Sequence, residues 1–112
     1  MKTGDIVLVF WPFTNLTETK RRPALVLHVN QHNDFLLLFL TSREPEQELQ
    51  LNYSIPPDSE NNLKIISYAR IDKLIVLNKD NCSGVIGTVS AIDFQQIKEK
   101  LSAFFKQLQY QK

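Results

Sequence analysis

The sequence contains one cysteine, Cys82, three glycines and two histidines, His28 and His32, among 112 residues. A single cysteine cannot form an internal disulfide, so nothing indicates an oxidising compartment. Three glycines are too few for a glycine-rich phosphate-binding loop, and the cysteine and histidines are too few and too poorly spaced for a zinc site. Any catalysis must therefore come from polar residues at strand ends and in loops.

Long apolar runs are also missing. No stretch approaches the roughly 20 residues that cross a bilayer, and Trp11-Pro12 interrupts the first apolar segment. We therefore expect one cytoplasmic domain over residues 1–112. The net charge of +1 does not indicate a nucleic-acid-binding protein. However, Lys20, Arg21 and Arg22 are consecutive and could form a local basic patch.

The hydrophobic pattern predicts a mainly β protein with a terminal helix. Strands are predicted over 6–10, 23–29, 35–41, 48–53, 64–71, 73–77 and 84–89, with a polar loop over 14–22 and a turn over 78–83. After Ser90, which begins a sequence resembling a capping box with Asp93, apolar residues recur at helical spacing: Phe94, Ile97, Leu101, Phe104, Phe105 and Leu108. Strands followed by one helix favour a small, strongly bent antiparallel barrel with the helix across one end.

Three places in the predicted sheet could carry chemistry. Arg22 precedes a strand, so its guanidinium could hold a phosphate through two hydrogen bonds, or it could belong to a solvated basic turn. Thr41 closes a strand, and its hydroxyl could donate to a phosphate oxygen or cap the following loop. Arg70 and Asp72 alternate along a strand with Tyr68, so the pair could form an ion pair or act as acid and base around one phosphodiester.

Several segments of the chain match the motifs of one known family. Three are early in the chain, Gly4-Asp5-Ile6-Val7-Leu8-Val9, Trp11-Pro12-Phe13-Thr14 and Lys20-Arg21-Arg22-Pro23-Ala24-Leu25-Val26-Leu27, and three come later, Leu40-Thr41-Ser42, Tyr68-Ala69-Arg70-Ile71-Asp72-Lys73-Leu74 and Gly87 with the helix start at Ser90. The early segments resemble the opening of the MazF/PemK toxins, and the later ones resemble further blocks of the same family. The resemblance implies an SH3-like barrel of the CcdB/PemK type and a homodimer. It also implies a metal-independent endoribonuclease that needs no cofactor, cleaves single-stranded RNA and has a small antitoxin as its partner.

The resemblance also implies roles for individual residues. Arg22 matches an arginine that is needed for cleavage, and Thr41 matches a strand-end threonine of the active site, with Ser42 beside it. Arg70 and Asp72 match an Arg-x-Asp pair with acid and base roles in the PemK branch. Because RNA carries its own nucleophile in the 2′-hydroxyl, we expect a 2′,3′-cyclic phosphate and a 5′-hydroxyl as the products.

One departure from the family affects how the phosphate would be held. The PemK branch has a histidine in its first loop, and residues 14–20 contain none. Lys20 or Arg21 would have to replace it. Trp11 and Tyr68 could stack on unstacked bases, although each residue type is more often a packing residue.

Two further functions are compatible with the same fold. One is a CcdB-like toxin that binds and poisons DNA gyrase without doing chemistry, and the other is an inactive family member that only binds its antitoxin. Arg22 and Thr41 at strand ends favour an enzyme, because a protein that only binds a partner would not need them.

Overall fold

The computed structural model describes residues 1–11, 20–46 and 49–111 as a curled antiparallel sheet with one C-terminal helix. The strands are β1 (Asp5–Trp11), β2 (Lys20–Val29), β3 (Asp34–Thr41), β4 (Asn52–Ile55), β5 (Ser67–Asn78) and β6 (Cys82–Thr88), and the helix is α1 (Ala91–Lys106). All neighbouring strands pair antiparallel in the order β4-β5-β3-β2-β1-β6. The predicted fold class is confirmed.

Strand β2 begins earlier than the sequence predicts. Lys20, Arg21 and Arg22 were expected in the polar loop, but they pair with the end of β1, with Arg22 opposite Val9. Pairing with a neighbouring strand outweighs the low strand propensity of charged residues. The rest of the predicted loop, residues 14–19, lies outside the described residues.

Two other strand predictions need correction. Leu49–Leu51 forms a short 3-10 turn, and the strand predicted over 48–53 is displaced to β4. The two strands predicted over 64–71 and 73–77 are one long strand, β5. Between the pairs Leu38–Leu74 and Leu40–Ala69, β3 advances two residues while β5 advances five, so β5 carries three extra residues in a bulge. The expected bend is therefore a bulge within a continuous strand.

The turn predicted over 78–83 also ends earlier. Lys79–Asn81 forms a second 3-10 turn, and β6 already begins at Cys82.

The sheet has a hydrophobic cluster on each face. On the helix side, Ile97 and Leu101 of α1 pack with buried sheet residues that include Leu38. Partly buried Tyr53 of β4 and Ile86 of β6 join the same cluster although these strands lie at opposite edges of the sheet. The sheet is therefore curled strongly enough to bring its two edges towards each other. On the other face, buried apolar residues of β1, β2 and β3 form a second cluster: Val7, Val9, Ala24, Val26, Phe35 and Leu37.

Strand β6 is tied to the connection between β4 and β5. The Thr88 N–H donates to the Glu60 carbonyl oxygen at 3.0 Å, and the Asn62 amide donates to the Ile86 carbonyl oxygen at 3.1 Å. A Cβ at Gly87 would lie 2.3 Å from the Asn61 carbonyl oxygen, so this close approach requires glycine.

Ser90 is the N-cap of α1, as predicted, and its hydroxyl accepts from the Asp93 N–H at 3.0 Å. The predicted apolar stripe is buried only in part. Ile97 and Leu101 are buried, whereas Phe105 is 53% exposed and Leu108, beyond the end of the helix, is 61% exposed. Across the described residues, no helix is both long and apolar enough to span a membrane.

Candidate active site

The candidate catalytic residues Arg22 and Thr41 lie on the face of the sheet that α1 does not cover. Arg22 is opposite Val9 and two residues before Ala24, and both of these belong to the second cluster. Thr41 is two residues after Phe39, which packs against that cluster. Because alternate residues of a strand point to the same face, Arg22 and Thr41 share it. Both are at least partly exposed, beyond the buried part of the cluster.

The register extends this group to β5. Tyr68 lies directly opposite Thr41, and Arg70 is two residues further along β5 on the same face. The pairing of β2 with β3 ends where Ala24 is opposite Phe39, and Arg22 and Thr41 each lie two residues beyond this pair. The sheet thus aligns four polar candidate side chains across three neighbouring strands.

A cavity of about 300 Å³ opens beside this row. Thr41 and Arg70 line it together with Arg43, Glu44, Pro45 and Glu46 from the loop that follows β3. Arg43 is not among the candidate residues that the sequence pattern indicates. Its position directly after Thr41-Ser42 could have indicated it as a site residue, because the loop that follows β3 lies at the same end of the sheet as Thr41.

The Thr41 hydroxyl caps the loop, and its proton remains available. Its oxygen accepts from the Arg43 N–H at 3.1 Å. A hydroxyl that accepts one hydrogen bond still has a proton to donate. The capping interpretation and the phosphate-binding interpretation are therefore compatible in one residue.

Arg70 and Asp72 are brought close together at the bulge of β5. Arg70 Nη2 and Asp72 Oδ1 are 4.0 Å apart, and the two side chains are 18% and 28% exposed. That distance permits an ion-pair attraction but is too long for a hydrogen bond. The bulge lies near the end of β3 that carries Thr41, and Arg70 lines the cavity there.

The remaining sequence candidates are placed differently. The Arg21 guanidinium carbon lies 5.4 Å from the centre of the Phe10 ring, on the opposite face of β2 from Arg22. Ser42 is exposed beside Thr41. Trp11 and Lys20 pair with each other where β1 ends and β2 begins, and their side chains lie outside the described part.

Within the described residues, no group of three or more His, Cys, Asp and Glu residues is arranged to hold a metal ion.

Comparison with known proteins gives both a family and a fold. The model of the family described as "PemK-like, MazF-like toxin of type II toxin-antitoxin system" matches residues 2–105. No curated protein sequence matches the chain significantly.

Among solved structures, the chain is similar to an endoribonuclease in complex with its cognate antitoxin from Mycobacterial species, with a TM-score of 0.76, 16% identity, and coverage of 98% of this chain and 99% of that chain. It is similar to the Mycobacterium tuberculosis toxin MazF-mt6, with a TM-score of 0.73, 16% identity, and coverage of 95% and 99%. It is also similar to MazE-MazF (Form-II) from Deinococcus radiodurans, with a TM-score of 0.75, 16% identity, and coverage of 96% and 97%. The TM-scores show that the chain shares the fold of these structures, and with identities this low the similarity shows the fold alone.

Proposed function

Because this chain belongs to the family of PemK-like, MazF-like toxins of type II toxin–antitoxin systems, we propose that it is a cytoplasmic, sequence-selective endoribonuclease that cleaves single-stranded mRNA. The observation that carries the proposal is the row of Arg22, Thr41, Tyr68 and Arg70 on one face of the sheet, beside an open cavity. Cationic and hydroxyl groups converging from neighbouring strands suit a phosphodiester, which is an anion with several acceptor oxygens. Similar solved structures named as endoribonucleases support the same activity.

The proposed reaction uses the nucleophile that RNA already carries. The 2′-oxygen attacks the adjacent phosphorus, the bond from phosphorus to the 5′-oxygen breaks, and the products are a 2′,3′-cyclic phosphate and a 5′-hydroxyl. The 2′-hydroxyl loses one proton and the leaving 5′-oxygen gains one. The protein therefore has to supply a base, a route for a proton and positive charge around the phosphate, and no metal ion is part of this scheme.

The described side chains can fill these roles. The Asp72 carboxylate at the bulge takes the 2′-hydroxyl proton, and Arg22 and Arg70 stabilise the charge that builds on the phosphate oxygens. Thr41 donates a hydrogen bond to one of those oxygens. An arginine holds its proton too tightly to be an efficient acid, so we assign the arginines an electrostatic role and assign delivery of the last proton to water.

Other residues would bind the flanking RNA. Tyr68, half-buried and opposite Thr41, can stack on a base next to the scissile phosphate. Ser42 and Arg43 lie beside Thr41 on the same loop, and we assign them contacts to the neighbouring phosphate. We assign Lys20, Arg21 and Trp11, at the paired ends of β1 and β2, to RNA further from the cut.

We also propose that the protein forms a homodimer and is inhibited by a cognate antitoxin protein. Large apolar side chains that are at least half exposed support the dimer: Ile65 at 59%, Val76 at 60%, Val85 at 50% and Ile92 at 75%. Exposed apolar side chains mark a protein interface where they adjoin one another, and a dimer that covers them is the arrangement that we propose. A monomer mass by light scattering at micromolar concentration would contradict the dimer.

The decisive experiment is cleavage of a long RNA by the purified protein with EDTA present, followed by mapping of both ends at each cut. We expect cuts at one short sequence, with a cyclic phosphate on one fragment and a 5′-hydroxyl on the other. DNA of the same sequence should stay intact, and one 2′-deoxy nucleotide at the cut should stop the reaction. Cleavage of that substituted strand, or complete dependence on added magnesium, would disprove the mechanism.

A further inference from the structure

A second cavity, of about 400 Å³, lies between α1 and the middle of the sheet. It is on the helix-covered face, away from Arg22 and Thr41. Most of its lining is apolar and comes from β2, β3, β5 and α1: Leu27, Leu36, Leu74, Phe94, Leu101 and Phe105. We call it the helix–sheet cavity. Its volume lies within the range of about 300–1,000 Å³ that is typical of small-molecule sites.

A lysine stands within the apolar stripe of α1 that lines this cavity. Phe94, Lys98, Leu101 and Phe105 are spaced four, three and four residues apart, so they lie on one side of the helix. Three of these four positions are apolar, and Lys98 places an ammonium group at the mouth. Its aliphatic stem can line the apolar wall while the charge stays accessible.

A bulge in β2 brings a histidine to the same cavity. Between the pairs Val26–Leu37 and His28–Leu36, β2 advances two residues and β3 advances one. Leu27 and His28 are adjacent in the chain and would point to opposite faces of a regular strand, yet both line the helix–sheet cavity. The sheet is thus locally distorted in a way that adds an imidazole to an apolar pocket.

The formal charge among the described residues that line the cavity is positive and comes from Lys98. Lys98 and His28 are exposed, and among the described residues that line the cavity none is a carboxylate. Neither side chain forms an ion pair with a described residue. Phe105, at the same mouth, is 53% exposed, so an occupant would cover aromatic surface as well as meet positive charge.

We propose that the helix–sheet cavity binds a small amphipathic monocarboxylate, such as a medium-chain fatty acid. The apolar chain of the ligand fills the space between Phe94 and Leu36. Its carboxylate accepts hydrogen bonds from the Lys98 ammonium and from an N–H of the His28 ring. The negative charge of the carboxylate strengthens both hydrogen bonds. This site does not depend on the proposed ribonuclease activity, because it shares no lining residue with the cavity beside Thr41 and Arg70.

Calorimetric titration of the whole protein with octanoate, compared with 1-octanol, tests the proposal. We expect saturable binding of one octanoate per chain and clearly weaker binding of the neutral alcohol. Lys98→Gln should weaken octanoate binding about three- to tenfold, as loss of one partly solvated charge contact would do. Lys64→Gln, which removes an exposed lysine elsewhere, should leave binding unchanged.

A second variant tests the apolar contact of the ligand, and it remains informative if the loss of the Lys98 charge changes octanoate binding only a little. Phe105→Ser removes exposed aromatic surface from the mouth, so it should weaken octanoate and octanol alike without unfolding the protein. Equal affinity for octanoate and octanol, or unchanged octanoate binding by Lys98→Gln, would overturn the proposal. Absence of octanoate binding would also overturn it, and a Phe105→Ser variant of lower mass in light scattering would then show that a second copy covers the cavity. Binding of an acidic, leucine-rich peptide but not of octanoate would assign the cavity to a protein partner and overturn it as well.

Discussion

Thr41, the last residue of β3, lies directly opposite Tyr68 in β5, and the bulge of β5 begins after the next pair, Leu40–Ala69. Before the bulge, β5 keeps the regular alternation that puts Tyr68 and Arg70 on the face of Thr41. After it, β5 resumes pairing at Leu74. The bulge therefore interrupts the pairing of Arg70 and Asp72 with β3, while Arg70 stays paired with Asn52 of β4.

Arg22→Ala should lower RNA cleavage by about a hundredfold or more while leaving the fold intact. Arg22 is exposed, so its removal costs no core packing and should change the free energy of unfolding by less than about 0.5 kcal/mol. Preorganised charge around a reacting phosphate has effects of about this size on rate. The measurement is single-turnover cleavage of a short RNA, together with urea denaturation.

Arg21→Ala is the matched control for this variant. It removes the same charge from the neighbouring residue, which is on the other face of β2 and stacks near Phe10. We expect it to weaken RNA binding at low salt and to leave the rate at saturating RNA nearly unchanged. An Arg22→Ala enzyme as fast as the parent would show that the site has been placed wrongly.

Thr41→Val should reduce cleavage by about tenfold to a hundredfold, and Thr41→Ser should retain most of it. Valine has nearly the shape of threonine but no hydroxyl, so it removes both the donor to the phosphate and the acceptor of the Arg43 N–H. Serine keeps both. Full activity in the valine variant would restrict Thr41 to a packing role.

Asp72→Asn should separate the catalytic interpretation of the Arg70–Asp72 pair from the structural one. A partly exposed pair at 4.0 Å should contribute no more than about 1 kcal/mol to stability. Loss of a general base should slow cleavage about a hundredfold to ten-thousandfold. We therefore expect near-parental melting with a large loss of rate across the neutral pH range. A variant with parental cleavage would identify the pair as an ordinary ion pair.

The sequence predicted the fold class, the helix start and the side-chain alternation in β5, because these depend on local patterns. Hydrophobic periodicity reports which residues face the core, and Ser90 is a local capping signal. The early start of β2 at Lys20 and the position of Arg43 beside Arg70 depend on how distant strands pair. The register of Thr41 with Tyr68 joins residues far apart in the chain, and no local pattern contains it.

Asp5→Asn should destabilise the protein at neutral pH and much less in acid. Burial alone would raise the pKa of the Asp5 carboxyl, but hydrogen bonds from the Lys2 N–H at 2.9 Å and the Thr88 hydroxyl at 3.0 Å, together with the Lys2 ammonium, lower it overall. A lowered pKa means stabilisation that is present above about pH 4 and lost as the pH falls through the folded-state pKa. We expect a loss of about 1–3 kcal/mol at pH 7.

Urea denaturation from neutral to acidic pH measures this difference. Asp80→Asn, which changes an exposed carboxyl, is the control and should differ from the parent by less than about 0.5 kcal/mol throughout. A destabilisation by Asp5→Asn that stayed constant into strong acid would contradict an ionised Asp5 as its cause.

Tyr53→Phe should loosen the attachment of α1 to β4 and remove a phenol whose pKa is about 12. The Tyr53 hydroxyl donates to Asp93 Oδ1 at 2.5 Å, and burial together with this carboxylate raises the pKa of Tyr53 to about 12. Stabilisation from a raised pKa is fully present below about pH 10 and is lost as the pH rises through about 12. We expect a loss of about 1–2 kcal/mol at pH 7 by urea denaturation. Absorbance titration of the parent should show a phenolate transition near pH 12, and Tyr53→Phe should lose it. A phenolate transition near pH 12 that remained in Tyr53→Phe would refute the assignment to Tyr53.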